Sequence, residues 1–269
     1  MLNRLRIFWY TRDTETSVPL LKDRLLNNLT RFGDDMLRAS GVGESVVAVG
    51  LTQNPPPANF EAALQVVAKQ GWAFSQHSTT LVEDTFTTET FEKVNRTTPI
   101  ADLRWSISHV PRIDRETLNR LKAMGAGVEP HAWTYLNGQP GAGPPFRMIL
   151  DSGIHAGGGS DAANVTAINP WLMIYYMVTG RNSARELVNG GQQITRDEAM
   201  RMYTANNGWF FHEEDKLGTI EPGKLGDLVV LSDDYFDPVR VTDEGIRVLR
   251  SVLTVVDGRV VHDALRRQR

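Results

Sequence analysis

The chain has no cysteine among its 269 residues. That absence excludes disulfides, thiolate metal sites and cysteine nucleophiles together. Nowhere is there an apolar run of the roughly 18 residues needed to span a bilayer. The start, Met1 to Tyr10, lacks the long apolar core and small-residue cleavage site of a secretory signal. No lysine–arginine run interleaves with aromatics and the net charge is −3, so nucleic acid is a poor partner. The basic end, Arg266-Arg267-Gln268-Arg269, reads as a solvated tail. What remains is 41% hydrophobic, enough for a sizeable core. The length suits one large α/β domain or a barrel with an appendage. A cytoplasmic, enzyme-sized protein is expected.

Strand-like and helix-like segments alternate, which predicts parallel βα units. Strands are expected over residues 5–9, 46–49, 72–75, 103–108, 127–129 and 154–158. Helices are expected over 19–32, over 88–95, and over 115–124 behind an Asp114 cap. Another is expected from an Asn59 cap to Gly71, with Phe60, Ala63, Leu64 and Val67 on one face. Helices then dominate, over 170–178 and 195–206. The second opens with Thr195 and Glu198 in capping-box spacing, each satisfying the other's free backbone N–H. After residue 208 the pattern becomes β, with strands over 228–231, 248–256 and 259–261. Asp257-Gly258 joins the last two in a two-residue hairpin signal. Residues 1–208 therefore read as a βα domain and 209–269 as a small β unit.

His77, His109 and Asp161 end, or closely follow, expected strands. In a parallel barrel such strand ends converge on one face. Two imidazoles and a carboxylate suit a divalent first-row metal such as zinc, and without cysteine only nitrogen and oxygen ligation is open. Asp161 closes the run Gly157-Gly158-Gly159-Ser160-Asp161, a junction where a barrel enzyme places a catalytic group. Singly, each residue has a plainer reading, as a hydrogen-bonded strand-end histidine or a solvated turn aspartate. Three in order weaken that reading. His131, after the next strand, is a fourth candidate and reads as substrate-facing. Trp133 and Tyr135 follow it, either contacting an apolar substrate group or packing locally. The Gly/Pro-rich loop 138–145 could form a lid. His155 reads as a core residue or one that supports a ligand from behind, and His212 and His262 as surface residues.

The segment LGTIEPGKLGDLVVL, 217–231, closely resembles the C-terminal signature of the amidohydrolase superfamily. So does VLTVVDGRVV, 252–261. Together with Gly159-Ser160-Asp161, YTANN at 203–207 and WSISH at 105–109, the chain is similar to the amidohydrolase 3 branch, which includes YtcJ-like and N-acyl-amino-acid hydrolase-like proteins. The resemblance runs from about residue 59 onward and is most specific after Gly157. It implies an α/β fold, a distorted (β/α)8 TIM barrel of the metal-dependent hydrolase type, with a small β-sandwich built from both chain ends. Residues 1–208 would be a partial barrel, and 209–269 would contribute to the sandwich. It further implies hydrolysis of a C–N bond, amide or cyclic amide, in a small molecule by a metal-activated water, with one or two divalent ions, zinc foremost. His77 and His109 would bind metal, and Asp161 would contact metal and shuttle the proton.

Two departures stand out. The family's first strand ends in His-x-His, and no His-x-His occurs here. The family often places a bridging Lys or Glu after the fourth strand, but the lysine pattern is lost around residues 40–45. Glu44 is then either a substitute carboxylate ligand or a solvated loop residue. Only barrel strands three to eight have counterparts, so two sheet edges are expected to be exposed. That implies a truncated product, a start codon assigned inside a longer gene, or pairing with another copy as a homo-oligomer. The alternative function is a catalytically inactive homologue or non-enzymatic remnant. A third keeps the scaffold for deamination or decarboxylation.

Overall fold

The computed structural model describes residues 4–48, 57–131, 133–162 and 165–266. They fall into two compact units, one of residues 5–130 with 148–156, the other of Arg4, 131–147 and 157 onward.

The first unit alternates strand and helix: β1 (Leu5–Trp9), α1 (Pro19–Leu26), β2 (Leu37–Glu44), α2 (Asn59–Lys69), β3 (Ala73–Ser78), α3 (Leu81–Asn95), β4 (Ser106–His109), α4 (Arg115–Ala123) and β5 (Gly127–Pro130). In chain order α5 (Thr134–Asn137), which belongs to the second unit, and α6 (Phe146–Ser152) precede β6 (His155–Ala156). The six strands form one parallel sheet in the order β1-β2-β3-β4-β5-β6, with β1 and β6 as its edges. Sequential βα units produce this order because each crossover returns the chain beside the previous strand.

The apolar stripe of α2 is buried as expected, with Phe60, Ala63, Leu64 and Val67 all 0% exposed. Phe74 on β3 packs edge-on against Phe91 and Trp105, with ring centroids 6.0 and 5.5 Å away. Each such pair contributes about 0.5–1.5 kcal/mol beyond its buried area. The Trp105 indole N–H donates to the Trp72 carbonyl at 3.0 Å, so burying that ring strands no donor.

The largest correction concerns β2. The strand runs over Leu37–Glu44, not over 46–49, of which residue 49 lies outside the described residues. No strand is expected over this stretch, whose Gly41 and Gly43 are both demanded by close packing. A Cβ at Gly41 would lie 2.4 Å from the Phe8 ring, and one at Gly43 would lie 2.3 Å from the Ser75 carbonyl. Asn59 does not cap α2. It is the first helical residue, and its Nδ2 donates instead to the Asp13 carbonyl at 2.8 Å. α3 begins seven residues earlier than expected, behind a Thr80–Glu83 capping box. α1 stops at Leu26, and β6 is confined to His155–Ala156.

The second unit contains α7 (Pro170–Thr179), α8 (Arg196–Tyr203), β7 (Leu228–Leu231), α9 (Asp243–Ile246), β8 (Ser251–Val256) and β9 (Arg259–Asp263). Asn169 caps α7 by accepting the Trp171 N–H at 3.0 Å, and Gly180 ends it at φ 68°. The core here is Met173, Tyr175, Tyr176 and Met177 of α7, each 0% exposed. The Thr195–Glu198 capping box forms as the sequence predicts. β7, β8 and β9 make an antiparallel sheet, with the Asp257-Gly258 turn between the last two strands. Arg4 binds Asp227 and Asp257, securing the start of the chain to this sheet's turns.

Candidate metal centre

Glu44, His77 and His109 stand at or next to the C-terminal ends of three neighbouring strands, β2, β3 and β4. Parallel pairing puts these ends on one edge, so residues far apart in sequence meet there. One potential ligand atom from each lies within 4.8 Å of the others. His109 Nε2 is 3.2 Å and His77 Nδ1 3.6 Å from Glu44 Oε2. The two imidazoles meet edge to face with ring centroids 4.4 Å apart. His109 is 2% exposed, whereas His77 and Glu44 are nearly half exposed, which leaves the cluster open on one side. The hydrogen bond from His109, then that from His77, holds the Glu44 carboxyl far below the usual carboxylate range. Glu44 is therefore a committed anion facing two imidazoles, a donor set that fits a divalent cation with nitrogen and oxygen preference.

Backbone strain marks the same place. His109 and Val110 adopt left-handed conformations, at φ 72° and 40°. A β-branched residue rarely does so, and such conformations persist only when their surroundings enforce them. Here the Val110 N–H donates to the carbonyls of Ser78 and Ser108, at 3.3 and 3.0 Å. The Ser78 hydroxyl in turn donates to Asp84 Oδ1 at 2.7 Å. Asp84 is 0% exposed, and burial, with Glu83 and Asp114 adding repulsion, pushes its carboxyl up to about 7.

Beneath the cluster lies a polar layer that the sequence reading missed. Ser75 and Ser108 share a hydrogen bond, and Ser106 donates to Glu129 on β5. Burial raises the Glu129 carboxyl above its ordinary range, against the opposing hydrogen bonds of Ser106 and Ser75. The only signal in the sequence was a carboxylate inside a short strand, between Val128 and Pro130.

His131 and Asp161 belong to the second unit. A ring nitrogen of His131 lies within 4.8 Å of an Asp161 carboxylate oxygen. His131 bridges to Gly159, two residues before Asp161. Trp133 is half-buried at the start of α5. Tyr135 is 2% exposed and packs edge-on against Tyr175 and Tyr176. Two hydrogen bonds hold the 138–145 loop. Gly141 N–H donates to the Val188 carbonyl at 2.7 Å, and Asn189 Nδ2 to the Pro144 carbonyl at 2.9 Å. No helix among the described residues is long and apolar enough to cross a membrane.

Two histidines and a carboxylate at adjacent strand ends of a parallel βα sheet form a set that could hold a metal ion. The chain belongs to the Amidohydrolase family, whose profile matches residues 17–262. It is similar to the N-substituted formamide deformylase of Arthrobacter pascens, with 32% identity over 114 residues, 42% of this chain and 20% of that protein. A mutant of the atrazine chlorohydrolase TrzN from Arthrobacter aurescens TC1, solved with zinc and atraton, superposes with a TM-score of 0.67 and 18% identity. That match covers 97% of this chain and 62% of the other. A metal-dependent hydrolase from Pyrococcus furiosus gives a TM-score of 0.60 at 19% identity, over 82% of this chain and 49% of that one. The chain thus covers a fifth of that curated relative and about half to three fifths of these solved structures. These likenesses show the fold, a partial (β/α)8 barrel with a small antiparallel sheet.

Proposed function

We propose that the chain carries metal-binding and proton-transfer residues of a hydrolase that cleaves a C–N bond in an N-substituted amide or cyclic amide, with zinc as the metal. The observation that carries this reading is the convergence of Glu44, His77 and His109 within one family-matched sheet. The likeness to a protein named for deformylating N-substituted formamides supports an amide as the bond cleaved.

Glu44, His77 and His109 would hold the ion through one carboxylate oxygen and two ring nitrogens. When bound, a divalent ion supplies Lewis-acid polarisation and brings the acidity of water toward neutrality. Asp161 is assigned the proton transfer from its glycine-serine-aspartate motif and the family's pattern. Its carboxylate takes the proton of the attacking water and returns it to the leaving nitrogen. Water adds to the carbonyl carbon and the C–N bond breaks, giving a carboxylic acid and an amine, or, from a cyclic amide, one molecule that carries both groups. His131, beside the Asp161 loop, and Trp133 contribute substrate contacts.

The test is purified protein supplied with zinc and offered N-substituted formamides and N-acyl amino acids, with amine release followed by mass spectrometry. Release that Asp161→Asn leaves unchanged removes Asp161 from proton transfer. A second reading, a non-enzymatic family member, is favoured by the lack of any His-x-His in the sequence. Stoichiometric zinc without turnover on the whole panel supports that second reading over the first.

A further inference from the structure

The loop that presents Asp161 is built on three glycines, each small for a different neighbour. A Cβ at Gly157 would lie 2.2 Å from Asn207 Oδ1 and 2.6 Å from the Phe210 ring. One at Gly158 would lie 3.0 Å from the Tyr203 ring, and one at Gly159 2.7 Å from the His131 ring. None of the three has a positive φ, so glycine serves close approach here rather than backbone freedom.

That close approach is used by hydrogen bonds. Asn207 Nδ2 donates to the Gly158 carbonyl at 3.2 Å, and Tyr203 Oη to the Gly159 carbonyl at 3.1 Å. Thr166 Oγ1 donates to the Ser160 carbonyl, and the Val165 N–H to that of Asp161 at 3.2 Å. Four consecutive carbonyls, Gly158 to Asp161, are therefore each fixed by a different residue. On the donor side, the Gly158 N–H bonds the Met202 carbonyl at 2.8 Å. The end of α8 and the turn after it thus grip the loop from one side. Burial keeps the Tyr203 phenol above its ordinary range, so the hydroxyl remains a neutral donor. Asp161 itself is held at φ 56°, a left-handed conformation that aspartate tolerates better than most residues.

We propose that Tyr203 and Asn207 are positioning residues for Asp161, fixing the glycine run so that its carboxylate is set in place without touching substrate themselves. This rests on the reading of Asp161 as the proton-transfer group. A displacement of about 1 Å at a reacting group can cost on the order of a hundredfold in rate. Two hydrogen bonds onto the residues just before Asp161 control a displacement of that size.

The test compares wild type with Tyr203→Phe, which deletes only the hydroxyl, and Asn207→Ala. Turnover of an N-substituted formamide, zinc content and backbone hydrogen exchange over residues 157–162 are measured. Tyr203→Phe is expected to lower kcat by about ten- to a hundredfold, with KM within about twofold and zinc content unchanged. Exchange over 157–162 should accelerate, while exchange in β3 and β4 stays the same. Asn207→Ala should behave alike. Unchanged kcat overturns the proposal, whether or not exchange changes, and so does a fall in kcat without faster exchange. If wild type hydrolyses nothing in the panel, the hydrolase reading fails separately. Exchange then decides alone: acceleration over 157–162 supports the clamp, and unchanged exchange overturns it.

Discussion

The Glu44–His77–His109 set and the Asp161 loop are held in place by different means. The first is placed by a backbone ladder: β2, β3 and β4 pair in parallel register, and the ligand candidates sit where those strands end. The second is placed by side chains reaching back from α8 and the following turn, across gaps that exist because Gly157, Gly158 and Gly159 lack a Cβ. A ladder distributes the task over many bonds, so no single side chain sets its geometry. A loop gripped at four carbonyls depends on each grip. Substitutions away from the chemistry should therefore be tolerated around β3 and β4 and punished at the end of α8 and in the turn after it, where Tyr203 and Asn207 hold the loop.

The largest effect expected on the loop side is chemical. Asp161→Asn should lower turnover by about 10²–10⁴, the usual contribution of a positioned acid–base group. Steady-state assays with zinc content measured in parallel check this.

On the ladder side the expected effect is a pH dependence of stability. Asp84 braces the β3 end through Ser78, and its carboxyl is raised from 3.8 to about 7 in the fold. A raised folded-state value means that the neutral form is the one the fold favours. Its contribution is fully present below about pH 4 and is lost as pH rises through about 7. The shift corresponds to roughly 4 kcal/mol. Urea denaturation of metal-free protein between pH 4 and pH 8 should show this loss, and Asp84→Asn should flatten it. A wild-type profile with the same slope as the variant's contradicts the assignment.

Smaller again is the steric cost of filling the loop. Gly157→Ala must displace both Asn207 and Phe210 and should cost about 1–3 kcal/mol by thermal or chemical denaturation. A neutral result would mean that the grip is loose. The mildest change is Thr195→Ala, which removes the α8 cap, where Thr195 Oγ1 accepts the Glu198 N–H at 3.2 Å. About 1 kcal/mol is expected, with little change in turnover because the glycine contacts lie at the other end of the helix.

What was legible in the sequence follows the same division. Leu5–Trp9 and Leu228–Leu231 are found at their expected bounds because apolar and β-branched residues cluster there. The Asp114 cap and the Thr195–Glu198 box are local, so residue spacing alone reveals them. β2 was hidden because its glycines answer to Phe8 and Ser75, partners on other strands that no local window contains. Glu44 was left between ligand and loop residue for the same reason: its place depends on where β2 ends. The Thr80–Glu83 box was readable but overlooked, hidden by the threonine-rich turn that α3 carries. The Asp84 brace and the Ser75–Ser106–Glu129 layer are tertiary, and polar residues within strands and helices give no sign of which face they serve.

The most direct test of the central claim is zinc binding by isothermal titration, for wild type and for Glu44→Ala, His77→Ala and His109→Ala. The account predicts stoichiometric zinc in wild type. Each variant should lose more than the ten- to hundredfold in affinity typical of residues that only support a ligand. Wild-type affinity retained by His109→Ala, the buried member of the set, would contradict it.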